Sequence, residues 1–133
     1  VASRLNPYLS FDGTARQAME FYRDVFGGEL ALHTFGEVGG GHGDDNDKIM
    51  HGMLETDAGY TIMGADNPPG MPFQPGNTIT VSLSGDDGDR LRGYWERLAD
   101  GGSIAVPLEK QMWGDEFGMC TDRFGTPWMV NIG

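Results

Sequence analysis

From Leu5 the chain alternates. Leu5, Pro7, Leu9 and Phe11 fall on one side, Asn6, Tyr8 and Ser10 on the other, a period of two that predicts a strand over 5–11. Pro7 brings no backbone donor, so either that strand is near a sheet edge or position 7 points away from a partner strand. Asp12-Gly13 turns the chain, and Thr14 with Gln17 fits a capping box. Ala18, Met19, Tyr22, Val25 and Phe26 then recur at helical spacing until Gly27-Gly28 stops the helix. A strand over 29–34 follows, then a glycine- and aspartate-rich loop over 35–48. Strands over 49–56 and 60–65 read as a hairpin around Asp57-Ala58-Gly59. Residues 66–76 hold four prolines and read as a loop. The order then recurs: a strand over 78–83, a helix with Leu91, Tyr94, Trp95 and Leu98 on one face, Gly101-Gly102, and a strand over 103–108. A last hairpin joins 116–121 to 127–132 across Asp122-Arg123-Phe124-Gly125.

The recurrence extends to residue identity. Positions 74 apart match at Leu9 and Leu83, Ser10 and Ser84, Asp12 and Asp86, Arg16 and Arg90, Arg23 and Arg97, and at both glycines of Gly27-Gly28 and Gly101-Gly102. The pattern predicts an α+β fold of two tandem βαβββ modules, over about 4–65 and 77–133, in a single domain. Each module has one helix-covered sheet face. The other face needs a partner or encloses a site.

Composition narrows the function classes. The chain has 133 residues, among them 22 glycines and 7 prolines, which suits short strands and turns over long helices. Nine Lys and Arg against 20 Asp and Glu give a formal charge of −11. That charge repels nucleic acid and anionic membrane surfaces, so neither is an expected partner. One cysteine, Cys120, permits no intrachain disulfide and no cysteine-rich zinc module. The unpaired thiol and the lack of a visible secretory segment point to the cytoplasm.

Four stretches carry a family resemblance: Asn6-Pro7-Tyr8-Leu9-Ser10-Phe11-Asp12-Gly13; Phe21-Tyr22 with Val25-Phe26-Gly27-Gly28-Glu29-Leu30; Ile49-Met50-His51-Gly52; and Trp113-Gly114 through Phe117-Gly118 and Asp122-Arg123-Phe124-Gly125 to Trp128-Met129-Val130-Asn131. Together they resemble the vicinal oxygen chelate superfamily of glyoxalase I, bleomycin-resistance proteins and extradiol dioxygenases, and within it the PhnB-like branch. The resemblance implies a concave, U-shaped mixed sheet with helices on its outer face, and a homodimer. It leaves the reaction open, because this scaffold hosts several chemistries.

Metal-dependent members hold a divalent ion with His and Glu on the concave face, from the first and last strands of each module. Carried over, those positions are Asn6, Thr80 (or Thr78), Met63, and Met129 or Asn131. Neutral amide and hydroxyl oxygens and soft thioethers do not make a hard divalent site. No metal ligand and no other cofactor is therefore expected.

His51 sits where the PhnB-like pattern carries a histidine, either as a general base in the site or as a structural histidine in the sheet. His42 with Asp44, Asp45 and Asp47 reads as a solvated loop before it reads as a cation site. Cys120, among acidic neighbours, reads as a buried inert thiol. Gly39-Gly40-Gly41-His42-Gly43 lacks the Lys and Ser/Thr of a phosphate loop. Tyr8, Met53, Met63, Trp113, Phe117 and Met129 with the polar Asn6, Ser10, Thr80 and Asn131 have the mix of a small-molecule pocket.

Three functions compete. One is an enzyme acting on a small organic molecule, with His51 moving protons. The second is a non-catalytic binder that sequesters a drug or similar ligand. A metal-dependent lyase or dioxygenase ranks behind both. A methyltransferase is disfavoured, since no glycine fingerprint follows the first strand.

Overall fold

The computed structural model describes residues 3–37, 46–68 and 70–133. It has two units, 1–75 and 76–133, each with its own sheet and helix. The loop cluster of His42, Asp44 and Asp45 and the glycine run 39–43 lie outside the described residues. In the first unit β1 (Tyr8–Phe11) leads to α1 (Ala15–Phe26), then β2 (Glu29–Thr34), β3 (Ile49–Glu55) and β4 (Thr61–Asp66). In the second, β5 (Val81–Gly85), α2 (Gly88–Ala99), β6 (Ser103–Lys110), β7 (Glu116–Thr121) and β8 (Pro127–Ile132) follow the same order. The sheets run β1-β4-β3-β2 and β5-β8-β7-β6. The first pair in each is parallel and the others antiparallel. This is an α+β fold of two βαβββ modules.

Each helix forms where the apolar spacing predicts it and covers one face of its own sheet. Ala15, Ala18, Met19, Tyr22, Val25 and Phe26 of α1 are buried, as are Leu91, Tyr94, Trp95 and Leu98 of α2. Both helices approach their sheets over glycines. A Cβ on Gly64 would stand 3.0 Å from Met19 Sδ, and one on Gly118 would stand 2.8 Å from Trp95 Cη2. The strand residues pointing under the helices include Leu9, Phe11, Leu54 and Ile62 in the first unit, and Leu83, Cys120, Trp128, Val130 and Ile132 in the second.

Several boundaries differ from expectation. The first strand starts at Tyr8 rather than Leu5. Pro7 contributes its carbonyl to Met63 N–H but has no donor to continue the ladder, and Leu5 is fully exposed. β1 is an edge strand of its sheet, the first of the two placements that Pro7 allowed. β5 runs over 81–85 rather than 78–83, because its partner β8 begins at Pro127 and the residues before that turn back to β7. β6 extends two residues further than expected, through irregular pairing with β7. The loop over 35–48 is paired at its base, where Phe35 and Gly36 donate to Lys48 and Asn46 carbonyls.

The capping box at Thr14 does not form. Thr14 makes no side-chain cap, and the Asp66 carboxylate accepts the Ala15 N–H at 2.9 Å instead. Asp66 also accepts Ile49 N–H at 2.8 Å, so it closes β4 as a buried anchor rather than opening a loop. No helix among the described residues is long and apolar enough to cross a membrane.

Candidate functional site

The face of each sheet away from its helix carries the residues of interest. Strand alternation sets them there, because the neighbouring positions point under the helix. On the first sheet Tyr8 pairs with Met63 and Met63 with Met53, one row of side chains running from β1 through β4 to β3. Ser10 and Ala65 form the next row, and His51 and His33 face each other across β3 and β2.

Tyr8 and His51 meet. The phenol oxygen lies 3.3 Å from Nδ1, and the ring centroids are 5.8 Å apart at 33°. Ala65, with only a methyl group, leaves room on the strand between them. Partial burial pushes the Tyr8 phenol pKa up, so it stays protonated through neutral pH. The pair has two complementary states. With Nδ1 bare, the Tyr8 hydroxyl donates to it and Nε2 carries the proton. With Nδ1 protonated, the phenol oxygen accepts and Nε2 is a free base. His33, by contrast, turns toward Glu37 at 3.4 Å, and both are more than half exposed.

The second sheet repeats the plan. Met119 pairs with Met129 as Met53 pairs with Met63, and Ser82 continues the row. The next row is Ser84, Asn131 and Phe117. Trp113, in the turn before β7, packs edge-on to Phe117 at 6.2 Å and is 64 % exposed. Asn131 Nδ2 donates to Asp115 Oδ2 at 3.0 Å.

The structure therefore brings Tyr8, His51, Met53, Met63 and Ser10 onto one open face, and Phe117, Met129, Asn131 and Trp113 onto or beside the other. Asn6 and Thr80 are half-buried and lie just before β1 and β5, outside the ladders. Asp115 escaped notice as a site residue, because it sits in a turn and its partner is remote in sequence. Cys120 is on the helix side, 2 % exposed, and burial first and Asp122 second push its thiol pKa up to about 11. Of the acids near it in sequence, Asp115 is engaged by Asn131 and Glu116 by Arg92 at 2.7 Å. A cavity of about 320 Å³ at the start of α1 includes Arg16, Lys48 and Asp66, but Asp66 is already bound to two backbone N–H groups.

The positions where the resemblance puts a divalent metal carry no His, Glu or Asp. They are Asn6, Thr80, Met63, Met129 and Asn131, a set of neutral oxygens and soft sulfurs, and the Asn131 amide nitrogen faces a carboxylate. Among the described residues, no three His, Cys, Asp or Glu side chains gather to hold an ion.

Comparison with known proteins places this arrangement. The profile of the Glyoxalase/Bleomycin resistance protein/Dioxygenase superfamily matches residues 4–130. Protein YjdN of Escherichia coli is 33% identical, over 96% of this chain and 94% of its own. The crystal structure of PA1353 from Pseudomonas aeruginosa is 37% identical and superposes with a TM-score of 0.87, covering 98% of both chains. A PhnB protein from Bacillus cereus, described as a putative 3-demethylubiquinone-9 3-methyltransferase, is 19% identical with a TM-score of 0.76 over 98% of this chain and 100% of that one. At that identity it shares the fold.

Proposed function

The chain belongs to the Glyoxalase/Bleomycin resistance protein/Dioxygenase superfamily, and on that premise we propose that it binds a small organic molecule on its open sheet faces and moves a proton on it through His51. The observation that carries this reading is the Tyr8–His51 contact on a sheet face that no helix of its unit covers. A histidine held by a phenol keeps one ring nitrogen for a ligand, while the hydroxyl, itself staying protonated, donates or accepts at the other. We propose further that the protein works without the divalent metal of the superfamily's metal-dependent members, since the donor set is unsuited to a hard ion. The proposed setting is a homodimer in the reducing cytoplasm, where the free thiol of Cys120 is stable.

A second reading, a non-catalytic sequestering protein, is favoured by a different observation. Each open face has a cross-strand methionine pair at its centre, Met53 with Met63 and Met119 with Met129. Thioether side chains adapt to varied apolar shapes, which suits a binder. The methyltransferase description of the Bacillus relative is not carried over. Two mixed four-stranded sheets lack the parallel strand switch at which doubly wound folds bind nucleotides.

Methyl-labelled methionine reports on all four positions at once. Titration with a library of aromatic and carbonyl fragments should shift the Met53, Met63, Met119 or Met129 methyl signals. Silence across the library would remove small-molecule binding. For a ligand that binds and exchanges a carbon-bound proton with heavy water, His51→Ala should slow that exchange by about 10²- to 10⁴-fold. Binding without exchange would select the sequestering reading.

A further inference from the structure

We propose that the open face of the second unit selects a cationic, N–H-bearing organic ligand, and that Asp115 is the positioning residue that makes it do so. This rests on the small-molecule reading above and names the ligand class.

The Asp115 carboxylate fixes the amide beside it. Ionised, it only accepts hydrogen bonds, so the Asn131 group facing Asp115 at 3.0 Å must be the amide nitrogen. That fixes the otherwise ambiguous amide orientation. The carbonyl oxygen Oδ1 is then turned away from Asp115, and among the described residues no side chain donates to it. Asn131 lies between Ser84 and Phe117 on the open face, so its carbonyl oxygen can accept a hydrogen bond from a ligand there. Asp115 is itself held in place. A Cβ on Gly133 would overlap its carboxylate, so the carboxylate packs directly on that backbone.

Charge points the same way. Glu109 is paired with Phe117 and shares its face, so this face carries Glu109 and Asp115. The cations of the unit lie elsewhere. Arg90, Arg92 and Arg97 are on α2, and Arg123 binds the end of α2 at Asp100. Lys110 pairs with Glu116, whose carboxylate is turned toward Arg92 on the helix side. Trp113 and Phe117 add aromatic surface beside the carboxylate, and cations are attracted to both. Acceptor oxygen, carboxylates and aromatic rings without a neighbouring cation favour an amine, amidine or similar group over an oxyanion.

The test compares two isosteric probes, benzamidinium and benzoate, by NMR titration of the labelled full chain at pH 7. Wild type should bind benzamidinium at least tenfold more tightly, with shifts at the Asn131 side-chain amide and the Trp113 indole. Asp115→Asn keeps volume but removes the charge and the one-way acceptor. It should reduce the preference to within about threefold and move the Asn131 amide signals before any ligand is added. Equal or tighter binding of benzoate to wild type overturns the inference and leaves the binding reading standing. So does benzamidinium binding confined to the first unit, or an unchanged preference in Asp115→Asn. If neither probe shifts any open-face signal, and the fragment library is silent as well, the binding reading falls and takes this inference with it.

Discussion

Asp122 is buried at 3 % exposure and accepts three hydrogen bonds: Phe124 N–H at 2.8 Å, Thr126 N–H at 3.1 Å and Trp128 Nε1 at 2.9 Å. One side chain thus closes the β7–β8 turn and orients the largest buried ring of the second unit. Thr56 fills the corresponding place in the first unit, accepting Tyr60 N–H at its Oγ1. Asp122→Ala would remove the acceptor that joins a buried turn to a buried indole. We expect a loss of about 2–4 kcal/mol in urea unfolding, against less than about 1 kcal/mol for an exposed control such as Asp12→Ala. Cys120, the neighbour of Trp128 across the hairpin, gives a pH test. Its thiol ionises at about 11 in the folded chain, against an ordinary 9.0. Below about 9 both states are protonated and the group has no effect. As pH rises from 9.0 toward about 11 the unfolded chain releases this proton first, so stability falls over that window. Cys120→Ala should flatten that part of the stability–pH curve. An equal slope in the variant would refute the assignment.

Gly28 and Gly102 follow the two helices at equivalent places, and each marks a close crossing. A Cβ on Gly28 would meet the Glu55 carbonyl oxygen, and one on Gly102 the Thr121 carbonyl oxygen, both at 2.1 Å. Backbone cannot step aside as a flexible side chain can. Either Gly→Ala change should therefore cost more than about 2 kcal/mol, and Gly28→Ala the more of the two, since its φ of 114° also strains an alanine. Gly64→Ala, which meets the flexible Met19 side chain, should cost less; a larger loss at Gly64 than at Gly28 would contradict this. Such helix stops were legible in the sequence because Gly27-Gly28 and Gly101-Gly102 interrupt a clear 3.6-residue period. The helix faces and the two hairpins were legible for the same reason. The strand starts at Tyr8 and Val81 were not, because alternation continues through Leu5 and Ile79 while pairing depends on what the partner strand offers. The replacement of the Thr14 cap by Asp66 was equally hidden, since the two residues are far apart in sequence. Of the site, the shared face of His51 and Met53 could be read from period two, while the choice of His51 came from the family resemblance. The Tyr8–His51 and Asp115–Asn131 contacts could not, because no spacing rule joins strands whose register is unknown.

At the scale of the whole molecule, charge and exposed apolar surface make opposing demands. The net charge of −11 keeps copies apart, yet Leu5, Ile79, Met112 and Trp113 are all more than 60 % exposed. Leu5 and Ile79 are 74 residues apart and precede the edge strands β1 and β5, so the duplication repeats the exposure at both places. Edge strands flanked by bare apolar side chains invite pairing unless something covers them. The proposed homodimer would provide that cover. Sedimentation at micromolar concentration should then give twice the chain mass of 14.5 kDa, and Leu5→Asp combined with Ile79→Asp should shift the protein toward monomer. Salt separates the two forces. An interface held by ion pairs weakens as salt rises, whereas burial of apolar surface between two acidic chains strengthens, because their mutual repulsion is screened within about 10 Å at 0.1 M. Dimerisation should therefore tighten between about 0.05 and 0.5 M salt. A monomer at every concentration, or a dimer that salt dissociates, would reject an apolar interface of this kind.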